Sequence, residues 1–317
     1  MSPTRLNSEA TIHIPIFLKL WLDIIRNSVK MLRKQSALKI FFILSCSILF
    51  LAAEFFICYE AFLFVNGFQG VGPIIAERLM YLFYLTMFLM LIFSNAIITY
   101  STVYRSRDIE LLLSYPLNPA TVFRYKFIES ATLSSWAFFI ILVPFVMGYG
   151  MASHAWSGLY IFMFFLFAPF LLIAGALGSG LSMALVRIMP RKKIRGAVLF
   201  LALFTILLIY KSVKGIRFEE TGQTLEIFVL NQMLPNIHIS HSPFMPSYWM
   251  AEGMLKASLK EFKSAFYYFL LLLSTSLFFA EMLIMLAERF YFVSWLEMRS
   301  RSRKKLFILG RGITEIA

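Results

Sequence analysis

Six long apolar stretches run through this sequence, at about 38–65, 79–100, 130–150, 157–186, 196–212 and 265–288. A helix crosses about 30 Å of hydrocarbon in roughly 17–25 residues, and each stretch is of that order or longer. In lipid a chain has to satisfy its backbone polar groups internally, which leaves helices and closed barrels. Barrel strands alternate apolar and polar residues, and these runs do not. The chain therefore reads as an all-α integral membrane protein with six transmembrane helices. Composition agrees: 60% of the 317 residues are hydrophobic, against roughly 45–50% apolar in a soluble domain, so the excess is lipid-facing surface.

The charges fall into every second gap. Arg26, Lys30, Arg33, Lys34 and Lys39 precede the first stretch. Arg105, Arg107, Arg124 and Lys126 lie between the second and third, and Arg187, Arg191, Lys192, Lys193 and Arg195 between the fourth and fifth. Arg289, Arg299, Arg301, Arg303, Lys304, Lys305 and Arg311 follow the sixth. The gap after the first stretch has only Arg78 beside Glu77, the gap after the third has no basic residue, and 213–264 holds both signs. Basic gaps face the cytoplasm. The pattern predicts a multi-pass protein of a bacterial-type inner (plasma) membrane with both termini cytoplasmic. It also assigns the net charge of +13 to anionic headgroups of membrane lipids and not to nucleic acid.

Three regions follow from this. Residues 1–37 form a cytoplasmic N-terminus in which Ile16, Leu20, Ile24 and Met31 recur at helical spacing among basic residues, the pattern of an N-terminal amphipathic interfacial helix over 14–36. A cytosolic extension of the first span is the alternative. Residues 38–290 form the six-span domain, and 291–317 a basic cytoplasmic tail. No cleavable signal is evident, so the first span is expected to direct insertion. Within the domain, 213–264 is the one long external segment. Its prolines and the stretch YWMAEGMLKASLKEF predict short helices at the outer leaflet, with Ser247 as an N-cap. His238 and His241 lack a third ligand nearby, so no metal site is expected there. Cys46 and Cys58 share one helix at about 18 Å along its axis, too far for a disulfide, and read as packing residues.

The loop 101–129 is the segment best suited to pass on a mechanical push. Asp108 and Glu110 precede Leu111, Leu112 and Leu113; Pro116 sets a turn; Asn118 and Pro119 are suited to start a new helix, which carries Arg124. Such a loop is either a docking surface or a tight connector whose leucines pack beneath the bundle. Glu54 and Glu281 lie inside apolar stretches, where a carboxyl is costly and often functional. Each is a candidate for a translocation path, or else is neutralised by a neighbour. GALGSG, Gly175 to Gly180, sits inside the fourth stretch without the lysine of a phosphate loop. Its small residues, such as Ala176 with Gly180, suggest close helix packing. Pro144 and Pro169 are expected to kink their helices. No catalytic constellation lies within the spans.

The phrase RDIELLLSYPLNPATVFRYKF, Arg107 to Phe127, resembles the segment after the second span in ABC-2 type permeases, and PSYWMAEGML, Pro246 to Leu255, is similar to the external segment of a subgroup of putative ABC exporters. The resemblance covers about 14–290. It implies a membrane subunit of an ATP-driven exporter, itself not an enzyme and carrying no cofactor; the substrate is not named by the sequence, and the apolar, poorly charged membrane interior suits an amphipathic or lipid-like one better than a highly charged solute. ATP and Mg would be bound by a partner ABC ATPase subunit. That partner would dock on Arg107, Asp108, Glu110, Leu111, Leu112, Pro116, Asn118 and Arg124. Relatives of the subgroup are often about twice this long. The chain is thus expected to pair with a second permease half, as homodimer or heterodimer, or to be one half of a split or truncated protein. The alternatives are an ion- or proton-coupled secondary transporter, resting on Glu54 and Glu281, and a non-transporting scaffold.

Overall fold

The computed structural model describes residues 36–68, 71–106, 108–109, 112, 119–188 and 242–314. Among them the secondary structure is helical, without strands. α1 spans Ala37–Asn66 and α2 Gly72–Thr99, which runs on into a π-helical turn, Tyr100–Arg105. α3 spans Pro119–Ala152, α4 Gly158–Ile188, α5 Pro246–Ser258 and α6 Phe262–Thr314. Five segments are long and apolar enough to cross a membrane: Leu38–Asn66, Gly72–Tyr104, Thr121–Ala152, Gly158–Val186 and Phe262–Tyr291. These are five of the six expected spans. The sixth, 196–212, lies outside the described residues, as does the amphipathic helix expected over 14–36.

The helices overrun the apolar stretches that announced them. α2 starts at Gly72 and takes in Glu77 and Arg78; α3 starts at Pro119 and takes in Arg124, Lys126 and Glu129. Hydropathy marks only the hydrocarbon, whereas the i→i−4 ladder continues through the headgroup layer, where charged side chains are solvated. α6 runs on furthest: its 53 residues continue through the basic tail, for which the sequence had suggested no structure. α3 and α4 stay helical through Pro144 and Pro169.

The chain divides into two compact units, Met1–Phe56 and Ile57–Ala317. In the first, the described part of α1 is apolar on every side apart from Lys39 and Glu54, with Leu38, Phe41, Leu44, Ile48 and Leu49 exposed, as a helix meant for lipid is. In the second, α4 packs on both α2 and α6, α3 lies against α2, α4 and α6, and α5 rests on α6, α4 and α2. One apolar cluster includes Met80, Tyr84, Leu91, Leu166, Phe170, Met250 and Leu272. A second, nearer the basic gaps, includes Val103, Tyr104, Phe123, Phe127, Met183, Leu283 and Tyr291.

Small residues set the closest approaches. A methyl added to Gly178 of α4 would lie 2.5 Å from the Ile92 carbonyl oxygen and 2.7 Å from Asn95 Cβ on α2. A methyl on Gly148 of α3 would lie 2.9 Å from Cys58 Cβ and from the Tyr59 nitrogen of α1. The expected contact residue Gly180 is different, for a methyl there meets only Leu283 Cδ1 at 3.7 Å. Two helix ends close with a residue in the left-handed region, His154 (φ 50°) after α3 and Lys260 (φ 64°) after α5. There the Glu261 N–H donates to the Lys256 carbonyl at 2.9 Å, which turns the chain sharply into α6. α5 begins as Pro246 requires, after an extended Met245 that occupies the N-cap position. Ser247, expected there, lies inside the helix with its hydroxyl buried and without a hydrogen-bond partner among the described residues.

Candidate functional site

Polar residues gather at three levels of the second unit. The first is its basic end, where α2 hands over to α3. Ile109 is fully buried, while the side chain of its neighbour Asp108 is 73% exposed. Ser106 Oγ donates to Asp108 Oδ2 at 3.2 Å and accepts from the Asp108 N–H at 3.3 Å. Lys126 of α3 is buried to 4% of its side chain, 3.9 Å from Asp108 and 2.7 Å from Glu129 Oε2. A buried ammonium is tolerated only when paired, and here it is held from two sides. Two residues earlier Arg124 meets Glu288 of α6 at 3.9 Å, both half-exposed. Tyr291 meets Tyr104 edge-on and Phe123 at a tilt in the same apolar cluster.

Of the eight docking residues read from sequence, Asp108, Leu112 and Arg124 lie among the described residues. Asp108 and Arg124 stand on this face, each in an ion pair, and Leu112 is half-buried. Arg107, Glu110, Leu111, Pro116 and Asn118 lie outside the described residues. α3 begins at Pro119 as the turn chemistry predicted. Glu54 lies in the first unit with its Oε2 shielded and without a hydrogen-bond partner among the described residues. Glu281 is exposed on α6 in the second unit. His238 and His241 lie outside the described residues. Cys46 and Cys58 are not joined to each other by a disulfide.

The second level is a hydroxyl knot among α2, α3 and α4. Thr99 Oγ1 donates to Ser130 Oγ at 3.1 Å and lies 2.9 Å from Ser179 Oγ. One turn back, Asn95 is fully buried and donates to the Leu91 carbonyl at 2.9 Å. The π-helical turn begins directly after Thr99, where an extra residue per turn resets which side chains face the neighbouring helices.

The third level is the opposite end, where α5 caps the bundle. Glu252 Oε1 accepts from Tyr81 Oη of α2 at 2.6 Å and from Tyr248 Oη at 3.0 Å. The Tyr81 and Tyr248 rings stack at 5.4 Å. Burial, and then the Glu252 carboxylate, push the Tyr248 phenol well above the ordinary tyrosine range. Lys256 is raised by its hydrogen bond to Glu261, 3.2 Å away. Asn66 Nδ2 donates to the Ala152 carbonyl at 3.1 Å, joining the ends of α1 and α3, and Trp249 Nε1 donates to the Pro243 carbonyl at 2.7 Å.

Sequence reading missed the last two levels. Tyr248 and Glu252 stand one turn apart, as do Asn95 and Thr99 within an apolar stretch. That i, i+4 spacing was the available signal. It did not show that Tyr81, 171 residues from Glu252, completes the arrangement.

A family model described as "Putative ATP-binding cassette" matches residues 31–311. No curated protein matches the chain, and no solved structure does. The family match overturns the resemblance to ABC-2 type permeases, because the family found over most of the chain is another one. The reading of the chain as the permease subunit of an exporter of amphipathic substrate falls with it, as do the alternatives set beside it. The resemblance rested on the short segments Arg107–Phe127 and Pro246–Leu255 and on the pattern of spans, and a leucine run between an acid and two prolines is also what an ordinary connector beneath a helical bundle contains.

Proposed function

The chain belongs to the putative ATP-binding cassette family, and from that premise we propose that it is a membrane-embedded component of an ABC transporter system. Five helices of membrane-crossing length and composition support the first half of this reading. So much of the chain is committed to those helices that nucleotide hydrolysis is assigned to a separate ATPase subunit, which would hold ATP and Mg. The distribution of Lys and Arg supports an inner membrane with both termini in the cytoplasm.

The observation that carries the docking assignment is the pairing of buried Ile109 with outward-facing Asp108. One residue anchors the ledge in the bundle while the next presents a carboxylate, held by Ser106 and by the buried Lys126. A carboxylate fixed in this way is a docking point for a basic or hydroxyl-bearing surface of the ATPase, and Lys126 ties any force on it to α3. The α6 helix shares the load through Arg124 and Glu288.

The test is co-purification and reconstitution with candidate ABC ATPase subunits. Asp108→Lys should lower the ATPase activity stimulated by this chain by about ten- to a hundredfold, the loss of one charge-assisted contact of roughly 1.5–3 kcal/mol, with insertion intact. Unchanged stimulation removes the docking assignment. ATP bound by the purified chain alone removes the division of labour.

A further inference from the structure

We propose that Glu252 and the tyrosines around it bind a primary ammonium group, presented by the headgroup of a lipid such as phosphatidylethanolamine in the leaflet that meets α5. The inference rests on the membrane-embedded reading above and not on the docking of an ATPase. Glu252 is the middle of three residues on one face of α5, with Tyr248 one turn before it and Lys256 one turn after. All three are half-buried, while Met250, Met254 and Ala257 fill the bundle from the same helix. Glu252 Oε1 accepts from both phenols, Tyr81 at 2.6 Å and Tyr248 at 3.0 Å, which fixes the carboxylate in place. α6 closes one side. Tyr268 Cβ would lie 3.4 Å from a methyl on Gly253, and the Tyr268 ring stands at 78° to that of Tyr248, 6.4 Å away.

This corner lacks a counter-charge. A carboxylate drawn half out of water calls for a cation, and Glu252 makes no ion pair among the described residues. Lys256, the nearest cation on its own helix, is taken by Glu261 at 3.2 Å and acts on Glu252 only at longer range. Glu77, one turn before Tyr81 on α2, adds a second carboxyl group to the same end of the bundle, and its neighbour Arg78 pairs with neither acid.

An ammonium group suits what remains. Oε2 of Glu252 takes neither phenol, phenol oxygens can accept as well as donate, and aromatic faces attract a cation. A primary ammonium has three protons for these acceptors. A quaternary one has none and would keep only the attraction of the rings. Depth selects the source. Tyr81 and Tyr268 fall just inside the apolar stretches 79–100 and 265–288, about 3–5 Å below their ends. Leu259, Phe266 and Tyr267 beside them are exposed. A ligand that reaches this corner from the headgroup layer can therefore lay its chains on apolar surface. In such a headgroup the phosphate follows the ammonium by two carbons, as Lys256 follows Glu252 by one turn.

Lipid titration of the full-length chain in mild detergent, with bound lipid counted by native mass spectrometry, tests this without any ATPase, so failed docking leaves the readout intact. Phosphatidylethanolamine should be retained in preference to phosphatidylcholine and phosphatidylglycerol. Glu252→Gln, which still accepts from Tyr81 and Tyr248, should weaken phosphatidylethanolamine binding about tenfold, equivalent to about 1.4 kcal/mol. Tyr268→Leu should weaken it by about two- to fivefold, the loss of one cation–π contact. Unfolding midpoints without added lipid confirm that each variant is folded. Equal retention of phosphatidylethanolamine and phosphatidylcholine, a preference for phosphatidylglycerol, full competition by equimolar free ethanolamine, or indifference to both substitutions would overturn the proposal.

Discussion

Replacing Gly178 and Gly180 by alanine should move stability in opposite directions, although the two lie half a turn apart in one helix. At Gly178 the new methyl would sit 2.5 Å from the Ile92 carbonyl oxygen, 2.7 Å from Asn95 Cβ and 3.0 Å from the Ala96 nitrogen. Two of these three atoms belong to the backbone of α2, so no side chain can swing aside and the helices have to separate. Overpacking of this kind costs about 1–3 kcal/mol. Separation also stretches the 2.9 Å contact of Thr99 with Ser179, one residue further along α4, and an interhelical hydrogen bond in a membrane averages about 0.6 kcal/mol. Alanine returns up to about 1 kcal/mol through its better helix propensity, which leaves a net loss of about 1–3 kcal/mol. At Gly180 the nearest heavy atom is Leu283 Cδ1 at 3.7 Å, an ordinary contact, so the propensity term stands alone and the variant gains up to about 1 kcal/mol. Reversible unfolding in mixed micelles, titrated with a denaturing detergent, reads both. Should Gly178→Ala unfold at or beyond the parental midpoint, the close approach of α2 and α4 is not as described, and the argument from rigid backbone fails.

Three further outcomes follow from the polar levels. Tyr81→Phe removes the 2.6 Å donor to Glu252 and should cost about 1–2 kcal/mol, whereas Glu252→Ala removes the acceptor shared by Tyr81 and Tyr248 and should cost about 1–3 kcal/mol, measured by the same unfolding titration. Lys126→Met leaves Glu129 without its 2.7 Å partner and should destabilise by about 1–3 kcal/mol; adding Glu129→Gln should recover most of that, and a double-mutant cycle with no coupling would refute the pairing. The folded protein favours the neutral Tyr248 phenol, so its contribution is complete below the unfolded tyrosine value near 10 and fades as pH rises toward the higher folded value. Unfolding midpoints should therefore fall more steeply above about pH 10 in the parent than in Tyr248→Phe, and parallel curves would contradict that direction.

Much of the helical architecture was legible because hydropathy reports a solvent. Any stretch that has to lie in hydrocarbon declares itself, and the five long helices fall where the apolar runs of 38–65, 79–100, 130–150, 157–186 and 265–288 placed them. Their ends were not legible. Glu77 and Lys126 look like loop residues by hydropathy but continue the helix, because charge in the headgroup layer is no obstacle to backbone hydrogen bonding. Pro119 and Pro246 did mark true helix starts, since proline lacks the N–H that a first turn leaves unused. The cap at Ser247 failed because Pro246 moved the start one residue earlier. At the candidate site, a lone Asp108 on a loop could be read as available for docking. Its restraint by Lys126, 18 positions further along the sequence, depends on how α2 and α3 come together, and no local pattern encodes that. Gly178 was passed over for Gly180 for the same reason: spacing lists small residues, but only the partner helix decides which of them is pressed.

α6 does not stop where its span does. From Tyr291 to Thr314 it stays one continuous α-helix, a mast of about 35 Å beyond the span at 1.5 Å per residue. A mast turns angle into travel: a tilt of about 10° in the bilayer sweeps its tip sideways by about 6 Å, more than one helical turn of axial rise. Small rocking at the depth of Glu281 would thus arrive amplified at whatever the tail touches.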